Sequence, residues 1–219
     1  RRYMISKNLK KRIYTSLALL LLLYLIFFSK IVLLFSLIVL GVLSILEFLN
    51  ITKNILNKKI SKFLSNIIFI IFIFIFCFIF FFFSNFLHLK ILLFVILLSC
   101  VASDIGGYIF GKLFKGPKLT KISPKKTIAG AIGSFFLTCS TLTALVSYYT
   151  SNFSMKILII GFLISLACQL GDLFFSFLKR EAKIKDSGNI FPGHGGVLDR
   201  LDGIFIGVPV GFISLILIF

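Results

Sequence analysis

The chain has 219 residues, of which 59% are hydrophobic and only 14% are charged, and its mean hydropathy is +1.10. Because soluble domains contain roughly 25% charged residues, this composition excludes a soluble globular protein. The formal net charge of +17 does not indicate nucleic-acid binding, since the 24 Lys and Arg residues form short clusters between long apolar runs. That arrangement is typical of a chain that faces a membrane surface.

Several apolar runs are long enough to cross a bilayer, for which a helix needs about 20 residues. None of them alternates in the way that indicates strands, so we expect helices. The sequence therefore predicts an all-α, polytopic transmembrane helix bundle of about seven spans. In chain order the predicted spans cover 13–29, 31–49, 66–87, 89–111, 128–149, 157–178 and 202–219.

The third span differs from the others because it consists almost entirely of Phe and Ile from Ile67 to Phe83. It offers no polar group for chemistry, so we expect a lipid-facing wall. The cysteines lie singly inside apolar runs, without the spacing of a metal site, and we expect them to be small buried hydrophobic residues. They are Cys77, Cys100, Cys139 and Cys168.

The cations are distributed very unevenly between the two sides that alternating spans define. Segments 1–12, 50–62, 112–126 and 179–200 contain 6, 4, 6 and 5 Lys and Arg residues, whereas the opposite side contains only Lys30, Lys90 and Lys156. By the positive-inside rule, the N-terminus and the large loops are predicted to be cytoplasmic. We divide the chain into three N-terminal spans (1–90) and a catalytic transmembrane region (91–219) with cytoplasmic loops 112–126 and 179–200.

Two acidic residues stand out inside the predicted spans. Asp104 and Asp172 are each about two helical turns from the cytoplasmic end, and an ionised Asp near the centre of a span costs about 2.5–3.5 kcal/mol, so both are functional candidates. Small and polar residues recur every three or four positions in the sixth span, which predicts that this face contacts protein. They are Gly161, Ser165, Cys168, Asp172, Ser176 and Lys179.

The seventh span has a stripe of glycines that begins at an acid. Gly203, Gly207 and Gly211 follow Asp199 at four-residue intervals, and such glycines allow another backbone to approach closely. We expect the glycines to serve packing. Asp199, with Asp202 three residues further on, is expected to be functional.

The two cytoplasmic loops of the second half have the composition of a nucleotide site. Five of the seven acids fall within 31 residues, among cations and glycines. Carboxylates suit a hard cation, while Lys, Arg and glycine backbone suit phosphate, although a solvated charged surface is the simpler alternative. The loop from Lys112 to Lys126 has six Lys and no acid, and it precedes a helix start at Thr127. This loop either binds anions or serves only as a topology signal.

The residues from Ser176 to Asp202 resemble the signature of the phosphatidate cytidylyltransferases, also called CDP-diacylglycerol synthases. The match includes Ser176-Phe-Leu-Lys-Arg180, Lys185-Asp-Ser-Gly188 and Phe191-Pro-Gly-His-Gly-Gly-Val-Leu-Asp-Arg-Leu-Asp202. Upstream, Ser123-Pro-Lys-Lys-Thr127 and the residues around Asp104 are similar to further family motifs. The chain departs from the family at Ile128 and Ala129, where relatives usually have Trp and Glu.

The resemblance implies an enzyme that joins CTP to phosphatidic acid, releases pyrophosphate and leaves CDP-diacylglycerol in the membrane, with magnesium as the cation. A second cation and a homodimer are left open. We expect the site on the cytoplasmic face of the bacterial inner (plasma) membrane, with membrane lipids as partners and no nucleic acid. Metal binding carries over to Asp172 and Asp199, and Asp202 is a candidate third ligand.

Site roles follow from the same resemblance and from the charges of the loops. Lys185 and Asp186 either act in the site or form a local ion pair, and His194 either donates to a phosphate or caps its loop. The predicted catalytic residues are Asp172, Asp199, Lys185, Asp186, His194 and Arg200. The predicted substrate-binding residues are Ser123, Lys125, Lys126, Thr127, Lys179, Arg180 and Asp104.

Two other functions are kept as alternatives. A CTP-dependent lipid-alcohol kinase needs the same kinds of group but transfers the γ-phosphoryl group and releases CDP. A membrane transporter also buries acids, but it places them near the bilayer midplane and on both sides of a pore, whereas here they lie towards one face.

Overall fold

A computed structural model describes residues 17–18, 20–151, 153–188, 190 and 195–218. Within these ranges the chain is helical and contains no strand, and residues 20–28 of the first predicted span are helical. Six further helices are each long and apolar enough to cross a membrane, so the prediction of an all-α polytopic membrane protein is confirmed. They are α1 (Lys30–Ile55), α2 (Lys59–Phe83), α3 (Leu87–Phe114), α4 (Ile128–Thr150), α5 (Met155–Glu181) and α6 (Leu198–Ile218).

The helices extend beyond the apolar runs that predicted them. The expected loop 50–62 is mostly helical, because α1 continues to Ile55 and α2 already begins at Lys59. Polar groups at these ends are satisfied locally: the Thr52 hydroxyl donates to Asn66 Oδ1 over 2.7 Å. Hydropathy marks the thickness of the bilayer rather than the end of the helix, so polar terminal turns were predicted as loop.

The chain divides into two compact units. The first comprises Arg1–Ser84 together with Glu181–Arg200. In it, α1 and α2 pack through the stacked rings of Phe48 and Phe69, whose centroids lie 3.8 Å apart. Only Phe69, Ile73 and Phe80 of α2 are buried, which leaves most of this helix available to lipid. The segment Glu181–Arg200, which holds most of the signature loop, therefore packs with the N-terminal helices.

The second unit comprises Asn85–Arg180 and Leu201–Phe219, and glycines allow its helices to pack closely. Helix α3 meets α4 where a Cβ on Gly106 would overlap the carbonyl oxygen of Gly133. On α6, a Cβ on Gly207 would overlap the thiols of Cys168 and Cys100. The glycine stripe of α6 is therefore a packing surface, as the sequence predicted. All four cysteines are free thiols.

Candidate active site

The loop between α3 and α4 folds back on itself and presents its last residues at a helix start. Lys118 pairs with Thr127 in a short antiparallel bridge, and the Leu119 N–H donates to the Lys126 carbonyl oxygen over 2.8 Å. Thr127 caps α4, because its hydroxyl oxygen accepts a 3.1 Å hydrogen bond from the Gly130 N–H. Lys126 and Thr127 therefore lie at a helix N-terminus, where anions are favoured.

Lys126 forms an ion pair with Asp172 of α5, and the exposed fractions of the two side chains are 24% and 30%. The other carboxylate oxygen of Asp172 accepts a 3.4 Å hydrogen bond from the Ser176 hydroxyl, one turn further along the helix. A predicted phosphate contact and a predicted metal ligand thus neutralise each other in this structure.

A second, more buried pair lies between α5 and α6. Lys179 Nζ is 3.9 Å from Asp202 Oδ2, and the two side chains are 10% and 9% exposed. The other carboxylate oxygen of Asp202 accepts a 2.9 Å hydrogen bond from the Gly203 N–H. A Cβ on Gly171 would meet the Asp202 carbonyl oxygen, so the absence of a side chain at Gly171 lets the two helices approach at this point.

The two pairs belong to one charged cluster of the second unit. Asp202 lies within electrostatic range of Asp172, Asp104 and Lys179. Together with Lys126, the cluster holds three carboxylates and two ammonium groups. It therefore brings acidic and basic groups of three helices, α3, α5 and α6, close to one another.

The polar face of α5 contacts protein, as predicted. Ser165 is buried and its hydroxyl is 3.3 Å from that of Ser103 on α3. Gln169, which was not predicted, donates a 3.2 Å hydrogen bond to Ser165 Oγ and a 3.4 Å hydrogen bond to the Ala131 carbonyl oxygen of α4. The face bearing Asp172 is therefore fixed by hydrogen bonds to α3 and α4.

Asp199 lies in the first unit, in the first turn of α6. Its Oδ2 accepts hydrogen bonds from the backbone N–H groups of Ser187, at 2.9 Å, and Gly196, at 3.0 Å. The carboxylate thus joins the two sides of the signature loop. The predicted pairing of Asp172 with Asp199 around a cation stays a prediction, since Asp172 belongs to the second unit.

The remaining predicted site residues lie mostly at the surface. Ser123 is half-buried. His194 lies outside the described residues. The exposed residues are Asp104, Lys125, Arg180, Lys185, Asp186 and Arg200.

Glu47 of α1 was missed by the sequence analysis. Its carboxylate is buried and bonded to three groups of the signature loop, Ser187, Val197 and Leu198. The signal was present, because Glu47 is an acid inside an apolar span, as Asp104 and Asp172 are.

The predicted metal ligands can be compared with the kind of group that magnesium binds. Among the residues that the structure describes, no three His, Cys, Asp or Glu side chains form a metal-binding group. Magnesium commonly binds through one or two carboxylates and completes its six ligands with water and substrate phosphates. The carboxylates of Asp172, Asp199 and Asp202 supply that kind of oxygen ligand.

These features define a polytopic membrane protein with acidic and basic groups gathered near helix ends. The sequence profile described as the cytidylyltransferase family matches residues 2–218. The chain belongs to the cytidylyltransferase family.

Three bacterial relatives, each named phosphatidate cytidylyltransferase, illustrate the similarity. The protein of Rickettsia bellii (strain RML369-C) is 44% identical over 128 residues, which cover 54% of this chain and 55% of the relative. That of Staphylococcus aureus (strain COL) is 45% identical over 118 residues, or 52% and 45%. That of Mycobacterium leprae (strain TN) is 41% identical over 128 residues, or 57% and 40%. The matched part of the chain spans about half the length of these relatives.

Proposed function

We propose that this protein is a phosphatidate cytidylyltransferase, a nucleotidyltransferase that converts CTP and phosphatidic acid into CDP-diacylglycerol and pyrophosphate. The observation that carries the proposal is the 27-residue signature from Ser176 to Asp202. Three of its charged residues, Lys179, Asp199 and Asp202, enter the ion pair and hydrogen bonds described above. Membership of the family and the names of the relatives support the same reaction.

The reaction requires charge neutralisation rather than a strong base. A phosphate oxygen of phosphatidic acid attacks the α-phosphorus of CTP, the bond from that phosphorus to the bridging oxygen breaks, and pyrophosphate leaves with the electron pair. A phosphate monoester has a second pKa of about 6, so the attacking oxygen is already ionised near neutral pH. The protein must align two polyanions and offset their charge.

Lys126 and Lys179 are the cations best placed for this task in the second unit. Each forms an ion pair with a carboxylate, Lys126 with Asp172 and Lys179 with Asp202. When a triphosphate binds, the ammonium group of Lys126 can exchange its ion-pair partner, from Asp172 to a phosphate oxygen at the N-terminus of α4. That helix end also favours anions. The exposed Lys125, Arg180, Lys185 and Arg200 are further phosphate contacts in this proposal.

Asp172 and Asp199, with Asp202, would hold magnesium. When bound, the ion would offset the negative charge of the triphosphate and of the departing pyrophosphate. The carboxylate released by Lys126 becomes available as a ligand in the same step that brings Lys126 to the phosphate. The ion pair between Lys126 and Asp172 therefore keeps both groups near their proposed working positions, with each charge compensated by the other.

The assay that tests this function uses CTP labelled at the α-phosphorus and phosphatidic acid in detergent micelles. The expected result is label in CDP-diacylglycerol and release of unlabelled pyrophosphate. Transfer from γ-labelled CTP to a lipid with release of CDP would indicate the lipid-alcohol kinase instead. No CTP-dependent product in purified, folded protein would contradict both enzymatic assignments and leave the transporter as the alternative.

The site is proposed to face the cytoplasm, on the evidence of the 21 cations that lie on one predicted side against three on the other. Single cysteines at the exposed positions Lys121 and Lys183, in a variant without the native cysteines, are expected to react with a membrane-impermeant thiol reagent only after the cytoplasmic side is made accessible. A cysteine at Ser151, in the loop between α4 and α5, should show the opposite pattern. Labelling of the Lys121 and Lys183 positions from opposite sides would contradict the cytoplasmic position of both loops.

A further inference from the structure

Helix α1 contributes a carboxylate that no predicted role accounts for. Glu47 lies within the apolar part of α1 and is only 6% exposed. An acid in such a position is costly unless hydrogen bonds compensate for the loss of water. The groups that donate hydrogen bonds to Glu47 therefore indicate the role of this residue in α1.

All three hydrogen-bond donors come from the segment that carries the signature. Glu47 Oε1 accepts from the Val197 N–H over 2.9 Å, and Oε2 accepts from the Leu198 N–H over 2.9 Å and from the Ser187 hydroxyl over 2.5 Å. Because α6 begins at Leu198, these two N–H groups lack partners within the helix. Glu47 thus caps α6 from another helix, and its negative charge suits the positive end of the helix dipole.

Ser187 connects Glu47 to Asp199. Its hydroxyl donates to Glu47, while its backbone N–H donates to Asp199 Oδ2 over 2.9 Å. The loop also contacts Glu47 through two glycines, because a Cβ on either Gly188 or Gly196 would overlap the Glu47 carboxylate. The position of Asp199 therefore depends on Glu47 in two ways, through Ser187 and through the start of α6.

We propose that Glu47 is a positioning residue that fixes Asp199 and the start of α6 for the cytidylyl-transfer reaction. The inference rests on the proposed function for its catalytic part, whereas the capping itself does not depend on that function. A site residue must be held within about 0.5 Å of its productive position, and a loop containing several glycines does not provide this rigidity alone.

The first test removes the charge of Glu47 and keeps the shape of its side chain, in the full-length protein in detergent. Glu47→Gln retains one carbonyl oxygen but turns an amide towards at least one of the donors. We expect kcat to fall by about 10-fold to 100-fold, since a charge-assisted hydrogen bond that orients Asp199 is lost. The KM for phosphatidic acid should stay within about twofold, because Glu47 does not touch substrate. Glu181→Gln is the matched control, as Glu181 is exposed.

The second test asks whether Glu47 acts through Ser187. Ser187→Ala removes the hydroxyl and leaves the backbone N–H that bonds Asp199. In the double variant the loss of kcat should be clearly smaller than the product of the two single losses, because both changes break the same connection. Ser61→Ala, at an exposed serine, is the control and should combine multiplicatively with Glu47→Gln.

A third measurement is independent of catalysis. Hydrogen exchange at the Val197 and Leu198 amides should become at least about tenfold faster in Glu47→Gln, with no change in α3 and α4. Unchanged exchange at these two amides would overturn the capping role. Faster exchange with normal kcat would overturn the positioning role.

Two further outcomes are also decisive. If Glu47→Gln does not accumulate as folded protein, Ser187→Ala alone decides, and normal kcat in that variant overturns the inference. A folded wild-type protein that forms no CDP-diacylglycerol would contradict the proposed function and the catalytic part of the inference. The exchange measurement would then still accept or reject the capping of α6 by Glu47.

Discussion

Replacing Asp172 or Asp199, two of the proposed magnesium ligands, by asparagine is expected to lower kcat/KM by about 100-fold or more, with the folded protein still in the membrane. In Asp199→Asn the amide oxygen can still accept the hydrogen bonds from Ser187 and Gly196, so the loss reports the missing charge rather than a broken loop. In Asp172→Asn the pair with Lys126 loses its charge as well. The measurement is CDP-diacylglycerol formation as a function of magnesium concentration.

Glu181→Gln serves as the control for both amide variants, because it removes one negative charge at an exposed position. It should change kcat/KM by less than about twofold. Near-normal activity of Asp172→Asn or Asp199→Asn at limiting magnesium would remove that residue from the metal site. A loss that disappears at high magnesium would indicate weaker cation binding, whereas a persistent loss would indicate a role in the transition state.

The helical class was predictable because each span is a continuous apolar run, and the packing of Gly203, Gly207 and Gly211 was predictable from their four-residue spacing. The ends of the helices were not. Helix α1 continues to Ile55 and α6 begins at Leu198, because polar terminal turns find partners that hydropathy does not record. The cap of α6 comes from Glu47, about 150 residues away along the chain.

The candidate site was predictable as a set of residue types but not as a set of pairs. The resemblance identified Lys126, Lys179, Asp172 and Asp202, and the structure joins them as two ion pairs. Which lysine meets which acid depends on how α4, α5 and α6 are rotated, and a single sequence fixes no such rotation. Glu47 was not predicted because the signature motifs lie in the second half of the chain, whereas the N-terminal spans resemble the family only as apolar runs.

A comparison of two lysine pairs distinguishes substrate binding from general electrostatic attraction. Lys126 lies at the N-terminus of α4 and pairs with Asp172, and Lys125 precedes it. Lys58 and Lys59 are exposed at the start of α2, a helix that contains no acid and no residue of the signature. Changing Lys125 and Lys126 to Gln should lower kcat/KM by at least about 10-fold to 100-fold, the cost of one lost charge-assisted phosphate contact.

The same change at Lys58 and Lys59 removes equal charge from a basic loop of the same predicted side, and we expect it to alter kcat/KM by less than about threefold. Single variants should assign most of the loss to Lys126, because Lys125 is exposed whereas Lys126 is already held beside Asp172. Adding Asp172→Asn to the Lys126→Gln variant should not restore activity. The reason is that Lys126 is proposed to bind phosphate in addition to neutralising Asp172. Equal losses from both lysine pairs would mean that surface charge alone attracts the substrates, and Lys125 and Lys126 would then have no place in the substrate site.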